Sequence, residues 1–305
     1  MEILKVENLC KSFGTHKVID GLSFSVDEHT IYGFLGQNGS GKTTTMKMIL
    51  GLLKLDSGTI TICGEKVTYG ETKTNKYIGF LPDVPEFYGY MRPMEYLKLC
   101  GEITGLSKQA IKEKSEELLT LVGLIDVKRK IGGFSRGMKQ RLGIAQALLN
   151  EPRILICDEP TSALDPVGRK DILDILLSIK DKTTVIFSTH ILSDVERVCE
   201  NIGMINDGKL AISGNINALK EVNRHDIIYI EFESENDRKL AYSSLEKMED
   251  IKEIIVEKNS LTIKVHDVKK TGNSIIHKLA GEQLYILKYE ILEPTLESIF
   301  MEVVK

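Results

Sequence analysis

The stretch "GQNGSGKT", residues 36 to 43, has the residue types and spacing of a loop that binds phosphate groups. Its glycines permit backbone angles that point successive N–H groups at phosphate oxygens, and the N-terminus of the following helix adds partial positive charge. Lys42 is long enough to reach the β and γ phosphates, and the Thr43 hydroxyl suits Mg²⁺. The candidate nucleotide-binding residues are Gly36, Asn38, Gly39, Ser40, Gly41, Lys42, Thr43 and Thr44.

A second candidate group is the pair of acids that ends the apolar stretch "RILICDEP", residues 153 to 160. A buried strand that presents Asp158 at its carboxyl end is typical of the Mg²⁺-holding aspartate of P-loop nucleotidases. Glu159 could act as the general base for an attacking water. Adjacent residues of a strand point to opposite faces, so the two acids need not share one role. Alone, such a pair is more often solvated, but a phosphate loop in the same sheet favours catalysis.

The elements that must position these residues form an α/β pattern from residue 1 to about residue 220. The buried-type strands "RILICD" and "TTVIFS" are each followed by a helical pattern, which indicates a parallel sheet with crossover helices. The interval from about residue 93 to 150 is rich in helical patterns. One of them places a stripe of apolar residues on a single helix face: Ile111, Leu118, Leu119 and Val122. We therefore predict an α/β P-loop core with a helical insertion.

The segment from residue 225 to 305 has a different pattern, in the order strand, helix, strand, strand, helix, strand. This order predicts a ferredoxin-like α+β domain, followed by a last helix in "TLESIFMEVV". A stabilising lid and a regulatory or dimer-contacting module are equally compatible with such a domain, because fold alone does not choose a function.

Composition restricts the class of protein and its surroundings. Lys plus Arg is 40 and Asp plus Glu is 44 in 305 residues, so no basic field is present to attract nucleic acid. The five cysteines are scattered and have no metal-ligand spacing, which is typical of a reducing cytosol. No stretch approaches the roughly 20 apolar residues of a membrane span, and no secretion leader is expected. A role at a membrane would therefore need a separate membrane protein.

The order of "GQNGSGKT", "FSRGMKQRLGIAQALLNEPRILICDEPTSALD" and "FSTH" resembles the nucleotide-binding subunit of ATP-binding-cassette (ABC) transporters. The resemblance covers residues 1 to about 215 and implies that ATP is the nucleotide, Mg²⁺ the metal, and transport the use of its hydrolysis. Other large P-loop classes fit less well. The guanine-reading pattern Asn-Lys-x-Asp of GTPases is absent, since "NKYI" at residues 75 to 78 lacks the aspartate.

The resemblance also implies that one chain owns half of each active site. Ser135 would cap the helix that starts in "SRGMK", and with the Gly137 amide it would bind the γ-phosphate of ATP on a second copy. Asp165, in "SALD", would face that partner. From the residues alone, a capped helix without a ligand and a simple N-cap before Pro166 explain the same patterns. We expect a homodimer or a dimer with a homologous ATPase subunit.

Two further roles rest on the same resemblance. His190, in "FSTHIL", matches the histidine that contacts the γ-phosphate and orients the attacking water. Phe13, in "KSFG", lies where the family stacks an aromatic ring on adenine. A structural histidine after a strand and a strand-end phenylalanine are the simpler interpretations of these two residues.

The chain departs from the family pattern at two places. The usual Ser-Gly-Gly-Gln is Ser-Arg-Gly-Met here, which keeps the capping serine and the second glycine and adds Arg136. In "FLPDVPEFYGY", Asp83 takes the place of a glutamine that contacts Mg²⁺ and water, so Asp83 is either a metal ligand or a turn-capping residue. The aromatic residues after it would line a docking groove for the membrane partner or belong to the core of the helical insertion.

Two functions from different classes remain open. The opening "LKVENLCKSFG", the loop "LPDVPEFYGYM" and the tail "EPTLESIFMEVV" look most like ATPase subunits that drive export of antibiotics, lantibiotics or other peptides, as in bacitracin resistance. Such a subunit would lie at the cytoplasmic face of the cell membrane, bound to an integral-membrane permease. The alternative is an ABC ATPase that acts on ribosomes or DNA. One cassette without a sustained heptad run favours export.

Overall fold

The computed structural model describes residues 1–222, 226–282, 284–292 and 295–303, and side chains as far as residue 300. The chain splits into two compact units, Met1–Ile216 and Asn217–Lys305. The predicted boundary lay between residues 220 and 225, and residues 223 to 225 lie outside the described ranges.

In the described residues of the first unit, ten strands form two sheets. The strands are β1 Glu2–Phe13, β2 His16–Asp27, β3 Ile31–Leu35, β4 Ser57–Ile62, β5 Glu65–Lys66, β6 Ile78–Leu81, β7 Ile154–Asp158, β8 Thr184–Thr189, β9 Asn201–Asn206 and β10 Lys209–Asn215. One sheet is antiparallel with the order β2-β1-β4-β5. The other has the order β10-β9-β3-β8-β7-β6 and is parallel from β9 to β6.

The strands predicted to be buried lie in the middle of the parallel sheet. Every residue of β3, β7 and β8 is buried, as their apolar sequences predict for a sheet covered on both faces. Their carboxyl ends meet at one edge, so the phosphate loop after β3, the two acids at the end of β7 and His190 after β8 are brought to the same place.

The helices of this part of the chain are α1 Lys42–Ile49, α2 Pro93–Ile103, α3 Lys108–Leu121, α4 Arg136–Leu148, α5 Pro166–Ile179 and α6 Leu192–Val198, and α7 Ile216–Val222 begins at the last residue of this unit. Helices α2 to α4 form the predicted helical insertion. The predicted apolar stripe of α3 is confirmed, because Ile111, Leu118, Leu119 and Val122 are all buried. Ser107 caps α3, and its hydroxyl accepts a hydrogen bond from the Ala110 amide at 3.2 Å.

The core of the first unit fixes the start of α1. Met46, Met48 and Ile49 of α1 are buried in one apolar cluster with residues of both sheets. Within it, the ring of Phe24 stacks on Tyr32 and Phe34, with centroids 5.7 and 5.3 Å apart. The phosphate loop lies between β3 and α1, and both of these elements are packed in this core. The loop is therefore held at both ends.

The second unit contains β11 Ile227–Phe232, α8 Glu235–Leu245, β12 Ile251–Val256, β13 Ser260–Val265, α9 Val268–Gly281, β14 Ile286–Leu292 and α10 Leu296–Val303. Its sheet has the order β12-β13-β11-β14 with antiparallel neighbours, so the predicted βαββαβ arrangement is confirmed. Ile228, Ile230 and Phe232 of β11 are fully buried with Ile275 and Leu279 of α9. The unit therefore has a core of its own.

Candidate nucleotide site

The phosphate loop has a backbone that its glycines make possible. Gly39 and Gly41 have φ values of +84° and +106°, in the left-handed region that side chains other than glycine rarely adopt. At Gly36, a Cβ atom would lie only 2.7 Å from the carbonyl oxygen of Ile205, so no larger residue fits. The loop thus depends on glycine for conformation at two positions and for space at the third.

The Lys42 ammonium lies inside this loop. Its Nζ donates hydrogen bonds to the carbonyl oxygens of Gly36 and Gln37 at 2.8 and 3.1 Å, and Lys42 is 6% exposed. The same atom is 3.3 Å from Oε1 of Glu159. A single buried cation therefore connects the loop to the end of β7.

Thr43 and Asp158 provide two oxygen ligands suited to a divalent cation. The Thr43 hydroxyl donates to Oδ2 of Asp158 at 2.8 Å, and the Ser188 hydroxyl donates to Oδ1 at 2.5 Å. Mg²⁺ is held by one or two carboxylates and takes its other ligands from substrate phosphates and water. The buried carboxylate of Asp158, beside the hydroxyl at the start of α1, fits that requirement.

Glu159 follows Asp158 with a φ of +50°, which costs about 1–2 kcal/mol for a residue other than glycine. Its N–H donates to the Ser188 carbonyl and hydroxyl oxygens at 3.1 and 3.2 Å, which holds this conformation. The chain turns here, so both acids reach the start of α1, Asp158 through Thr43 and Glu159 through Lys42. They contact different groups, in line with the prediction that they need not share one role.

His190 is in contact with Glu159. Its Nδ1 lies 2.9 Å from Oε2 of Glu159, while Lys42 is near the other carboxylate oxygen. The two residues are 31 positions apart and meet because β7 and β8 are adjacent parallel strands. A histidine and a carboxylate at this distance can together bind and orient a water molecule.

Cys157 precedes the two acids and is fully buried. Burial raises the pKa of its thiol well above the usual range, and the neighbouring Asp158 charge adds to this effect. The thiol therefore remains neutral, and its role is to pack within the sheet.

The start of α4 has the predicted cap. The Ser135 hydroxyl accepts a hydrogen bond from the Met138 amide at 3.3 Å, and both Ser135 and Arg136 are exposed. Gly137 faces the side chain of Leu164, because a Cβ atom built on Gly137 would lie 3.8 Å from it. The capping prediction is confirmed, and the binding of an anion at this helix start stays a prediction.

Asp165 is the N-cap of α5. Its Oδ1 accepts a hydrogen bond from the Gly168 amide at 3.0 Å, and Pro166 occupies the first turn. Among the described residues, no hydrogen bond or ion pair joins Ser135, Gly137 or Asp165 to the phosphate loop. The predicted site residues thus form two groups, one around the loop and one at the starts of α4 and α5.

Asp83 is bound by α4. Its Oδ1 is 2.9 Å from Nη2 of Arg136, and its carbonyl oxygen accepts a hydrogen bond from Nε2 of Gln140 at 2.6 Å. The carboxylate therefore has a cationic partner. The predicted contact of Asp83 with Mg²⁺ stays a prediction.

The aromatic residues after Asp83 differ in exposure. The ring of Phe87 packs against Tyr96 of α2 with its centroid 5.1 Å away, as part of the helical insertion. Tyr88 and Tyr90 are exposed, with ring centroids 5.9 Å apart.

Beside the phosphate loop lies a cavity of about 300 Å³. Its lining residues are His16, Lys17, Val18, Gln37, Asn38, Gly39, Ser40, Asn206, Asp207 and Gly208.

Phe13 does not line this cavity. It is 51% exposed, and its ring centroid is 5.4 Å from the Lys11 ammonium. Thr44 lies in the first turn of α1. Stacking of Phe13 on adenine stays a prediction.

Sequence reasoning did not identify two residues that support the site. Ser188 holds both Asp158 and Glu159, and the quoted "FSTH" contained it as the strand residue two positions before His190. Gln140 is fully buried in α4 and donates to the Asp83 carbonyl oxygen. These contacts have no local sequence signal, because each joins residues 29 or more positions apart.

A strand, a glycine-rich phosphate loop and a helix, with acids at the end of another strand of the same parallel sheet, define a P-loop ATPase. Comparison with known sequences identifies the family of P-loop ATPase. The family described as "ABC transporter" matches residues 19–162, and "ATP-binding protein DrrA1-3-like, C-terminal domain" matches residues 214–304.

Curated relatives match almost the whole chain. An uncharacterized ABC transporter ATP-binding protein, YxlF of Bacillus subtilis (strain 168), is 37% identical over 99% of both chains. The bacitracin transport ATP-binding protein BcrA of Bacillus licheniformis is 38% identical over 99% of this chain and 97% of its own. The linearmycin resistance ATP-binding protein LnrL of Bacillus subtilis (strain 168) is 32% identical over 98% and 97%.

Solved structures agree with the sequences. The ATP-binding subunit of an ABC transporter aligns with a TM-score of 0.66 and 30% identity, over 72% of this chain and 93% of its own. The chain belongs to the ATP-binding proteins of ABC transporters, so it binds ATP and is an ATPase that drives transport. Among the described residues, no helix is long and apolar enough to cross a membrane.

Proposed function

We propose that the chain is the ATP-hydrolysing subunit of an exporter of antimicrobial peptides, antibiotics or related solutes. Support comes from full-length relatives whose names refer to bacitracin transport and linearmycin resistance. A carboxy-terminal match to a DrrA-like domain extends the similarity beyond the ATPase unit. The names of these relatives refer to transport or resistance, so action on ribosomes or DNA is not favoured.

The observation that carries the proposed chemistry is the series of contacts from Lys42 through Glu159 to His190, beside the Thr43–Asp158 pair. The loop amides and Lys42 bind the phosphates of ATP. Thr43 and Asp158 would hold Mg²⁺, which would supply positive charge beside the phosphate oxygens.

The water that attacks the γ-phosphate gives its proton to the Glu159 carboxylate. His190 lies against the same carboxylate and fixes the position of that water. The γ-phosphoryl group passes to the water oxygen as the bond to the β-phosphate oxygen breaks, and ADP and phosphate leave.

The second group of site residues serves the ATP of another copy in this proposal. The start of α4 is exposed, and its Ser135 cap leaves the Gly137 amide available for a phosphate. Asp165 lies on the next helix start and would face the partner. Two chains would then enclose two ATP molecules, as a homodimer or with a homologous ATPase subunit.

A membrane permease is the proposed second partner, and it would hold the chain at the cytoplasmic face of the membrane. A surface depression of about 390 Å³ involves the loop residues just before the exposed Tyr88 and Tyr90, and it supports a docking role for this region. It is lined by Asp83, Val84, Pro85, Glu86, Phe87, Arg136 and Lys139.

The proposal is tested with a tagged Glu159→Gln chain expressed in its native host. Loss of the base should lower ATP hydrolysis by at least about 100-fold while ATP still binds, so the chain should stall as a dimer with its partners. Purification from solubilised membranes with Mg²⁺ and ATP should recover a second ATPase subunit and an integral-membrane protein.

A tagged Glu117→Gln chain is the matched control, because Glu117 is exposed and far from the phosphate loop in sequence. It should hydrolyse ATP at the parent rate. Hydrolysis at the parent rate by the Glu159→Gln chain would exclude Glu159 as the base. Recovery of ribosomes or DNA in place of a membrane protein would replace the export proposal with the alternative.

A further inference from the structure

Helix α4 holds Asp83 at two points. Arg136, the first residue of the helix, contacts the Asp83 carboxylate at 2.9 Å, and Gln140, one turn later, donates to the Asp83 carbonyl oxygen at 2.6 Å. Residues four apart lie on one face of a helix. Arg136 therefore contacts the side chain of Asp83, and Gln140 holds its main chain.

The same face of α4 continues along the end of β6. A Cβ atom on Gly143 would overlap with the Leu81 side chain and lie 3.4 Å from Cβ of Pro85. On β6 itself, a Cβ atom on Gly79 would overlap with the Ala147 carbonyl oxygen. Two glycines thus allow α4 to approach the strand closely, and the loop after β6 is packed against the helix.

The two charges of the pair are both departures from the family pattern noted in the sequence. Arg136 stands where a glycine is usual, and Asp83 where a glutamine is usual. Their side chains are 39% and 46% exposed, so the ion pair contributes little to overall stability. Its effect is on geometry, because Arg136 lies between the Ser135 cap and Gly137.

We infer that Arg136 and Asp83 are a positioning pair that fixes the start of α4 relative to the loop after β6. Asp83 then acts on hydrolysis through Arg136 rather than by contact with Mg²⁺. This inference rests on the proposed function, since the group that the pair positions is the proposed site for the ATP of a second copy.

A double-mutant cycle tests the pair in the full chain. Arg136→Ala, Asp83→Ala and the double variant are made in the Glu159→Gln background, and the dimer dissociation constant is measured with saturating Mg²⁺ and ATP. A partly exposed pair is worth about threefold in an equilibrium, and a symmetric dimer contains two pairs, so each single variant should weaken the dimer about tenfold.

The double variant distinguishes the two roles of Asp83. If the residues act through each other, the double variant is also weakened about tenfold, because the second change removes nothing more. If Asp83 contacts the metal independently of Arg136, the effects multiply to about 100-fold, and the inference is wrong. Arg136→Lys keeps the charge and should retain most of the dimer affinity.

Two readouts separate positioning from a general structural effect. ATP affinity of the monomeric variants should stay within about twofold of the parent, because an exposed ion pair outside the phosphate loop is removed. In the catalytically active background, kcat should fall while KM is unchanged. A rise in KM with unchanged kcat would contradict the inference.

Arg197 and Asp174 provide a matched control. Their side chains are 2.8 Å apart and 40% and 48% exposed, almost the same geometry as the Arg136–Asp83 pair. Arg197→Ala and Asp174→Ala should leave the dimer unchanged, and an equal weakening would overturn the inference. If the Glu159→Gln chain stays monomeric with ATP, the half-site proposal fails. The double-mutant cycle is then measured by kcat in the catalytically active background. Equal decreases of kcat in the single and double variants support the positioning pair, and decreases that multiply in the double variant refute it.

Discussion

Lys42 illustrates how much one residue contributes to this site. Its ammonium is buried, donates to two loop carbonyls and lies 3.3 Å from Glu159, so it connects the phosphate loop with the carboxylate proposed as the general base. A buried cation in such a position is stabilised by these oxygens and is available to phosphate oxygens as a charged donor.

Lys42→Ala should abolish tight binding of ATP. Charge-assisted hydrogen bonds are worth about 1.5–3 kcal/mol each, so we expect the affinity to fall at least about 100-fold, measured by isothermal titration calorimetry. Lys47→Ala is the control, because Lys47 is an exposed lysine on the same helix. An equal loss of affinity in both variants would indicate damage to α1 rather than loss of a phosphate ligand.

At the scale of elements, helices α3 and α4 have the same kind of serine cap. Ser107 caps α3 and Ser135 caps α4, with hydrogen bonds of 3.2 and 3.3 Å to amides three residues later. The geometry is the same, and only the α4 cap is proposed to serve a second copy.

Ser107→Ala and Ser135→Ala should each lower the free energy of unfolding by about 1 kcal/mol, the usual value of a helix N-cap. Urea denaturation measures that change. The specific ATPase activity of the parent and of Ser107→Ala should rise with protein concentration as dimers form. For Ser135→Ala the rise should need a higher concentration. Coinciding activity curves for the two variants would argue against a role of Ser135 in the shared site.

At the scale of the whole molecule, each of the two units has its own buried cluster. Apolar residues of β1 to β4, α1 and the parallel sheet form the first, and residues of β11, β13, α8 and α9 form the second. A unit with its own core can fold alone, so the second unit is not required for the fold of the first.

A chain that ends at Val222 should keep its ATP affinity within about twofold of the full chain. The buried core of the first unit and the described contacts of the nucleotide site both lie between residues of that unit. Fluorescent-nucleotide titration measures the affinity, and circular dichroism checks that the shorter chain is folded. A folded chain with lost ATP affinity would show that the second unit contributes to the nucleotide site.

The sequence by itself determined the central buried strands and the phosphate loop. Continuous apolar runs predicted β3, β7 and β8 as buried strands, and "GQNGSGKT" predicted the loop, since both signals are local in the chain. The β9–β10 hairpin was not predicted, although Asp207-Gly208 between its strands is a hairpin signal. Residues of β10 alternate between exposed and half-exposed, as is common for an edge strand, so the hairpin lacked the continuous apolar run that marked the buried strands.

Only the tertiary structure decided which side chains meet. Glu159 and His190 are 31 positions apart, and Asp83 and Arg136 are 53 apart. The sequence offered Asp83 as a metal ligand or a turn cap and gave Arg136 no role. Their contact depends on how closely α4 packs on β6, which is set by the space that Gly79 and Gly143 leave. Local patterns determine elements, whereas pairs distant in the chain are determined by packing, because no local signal encodes the distance between two packed surfaces.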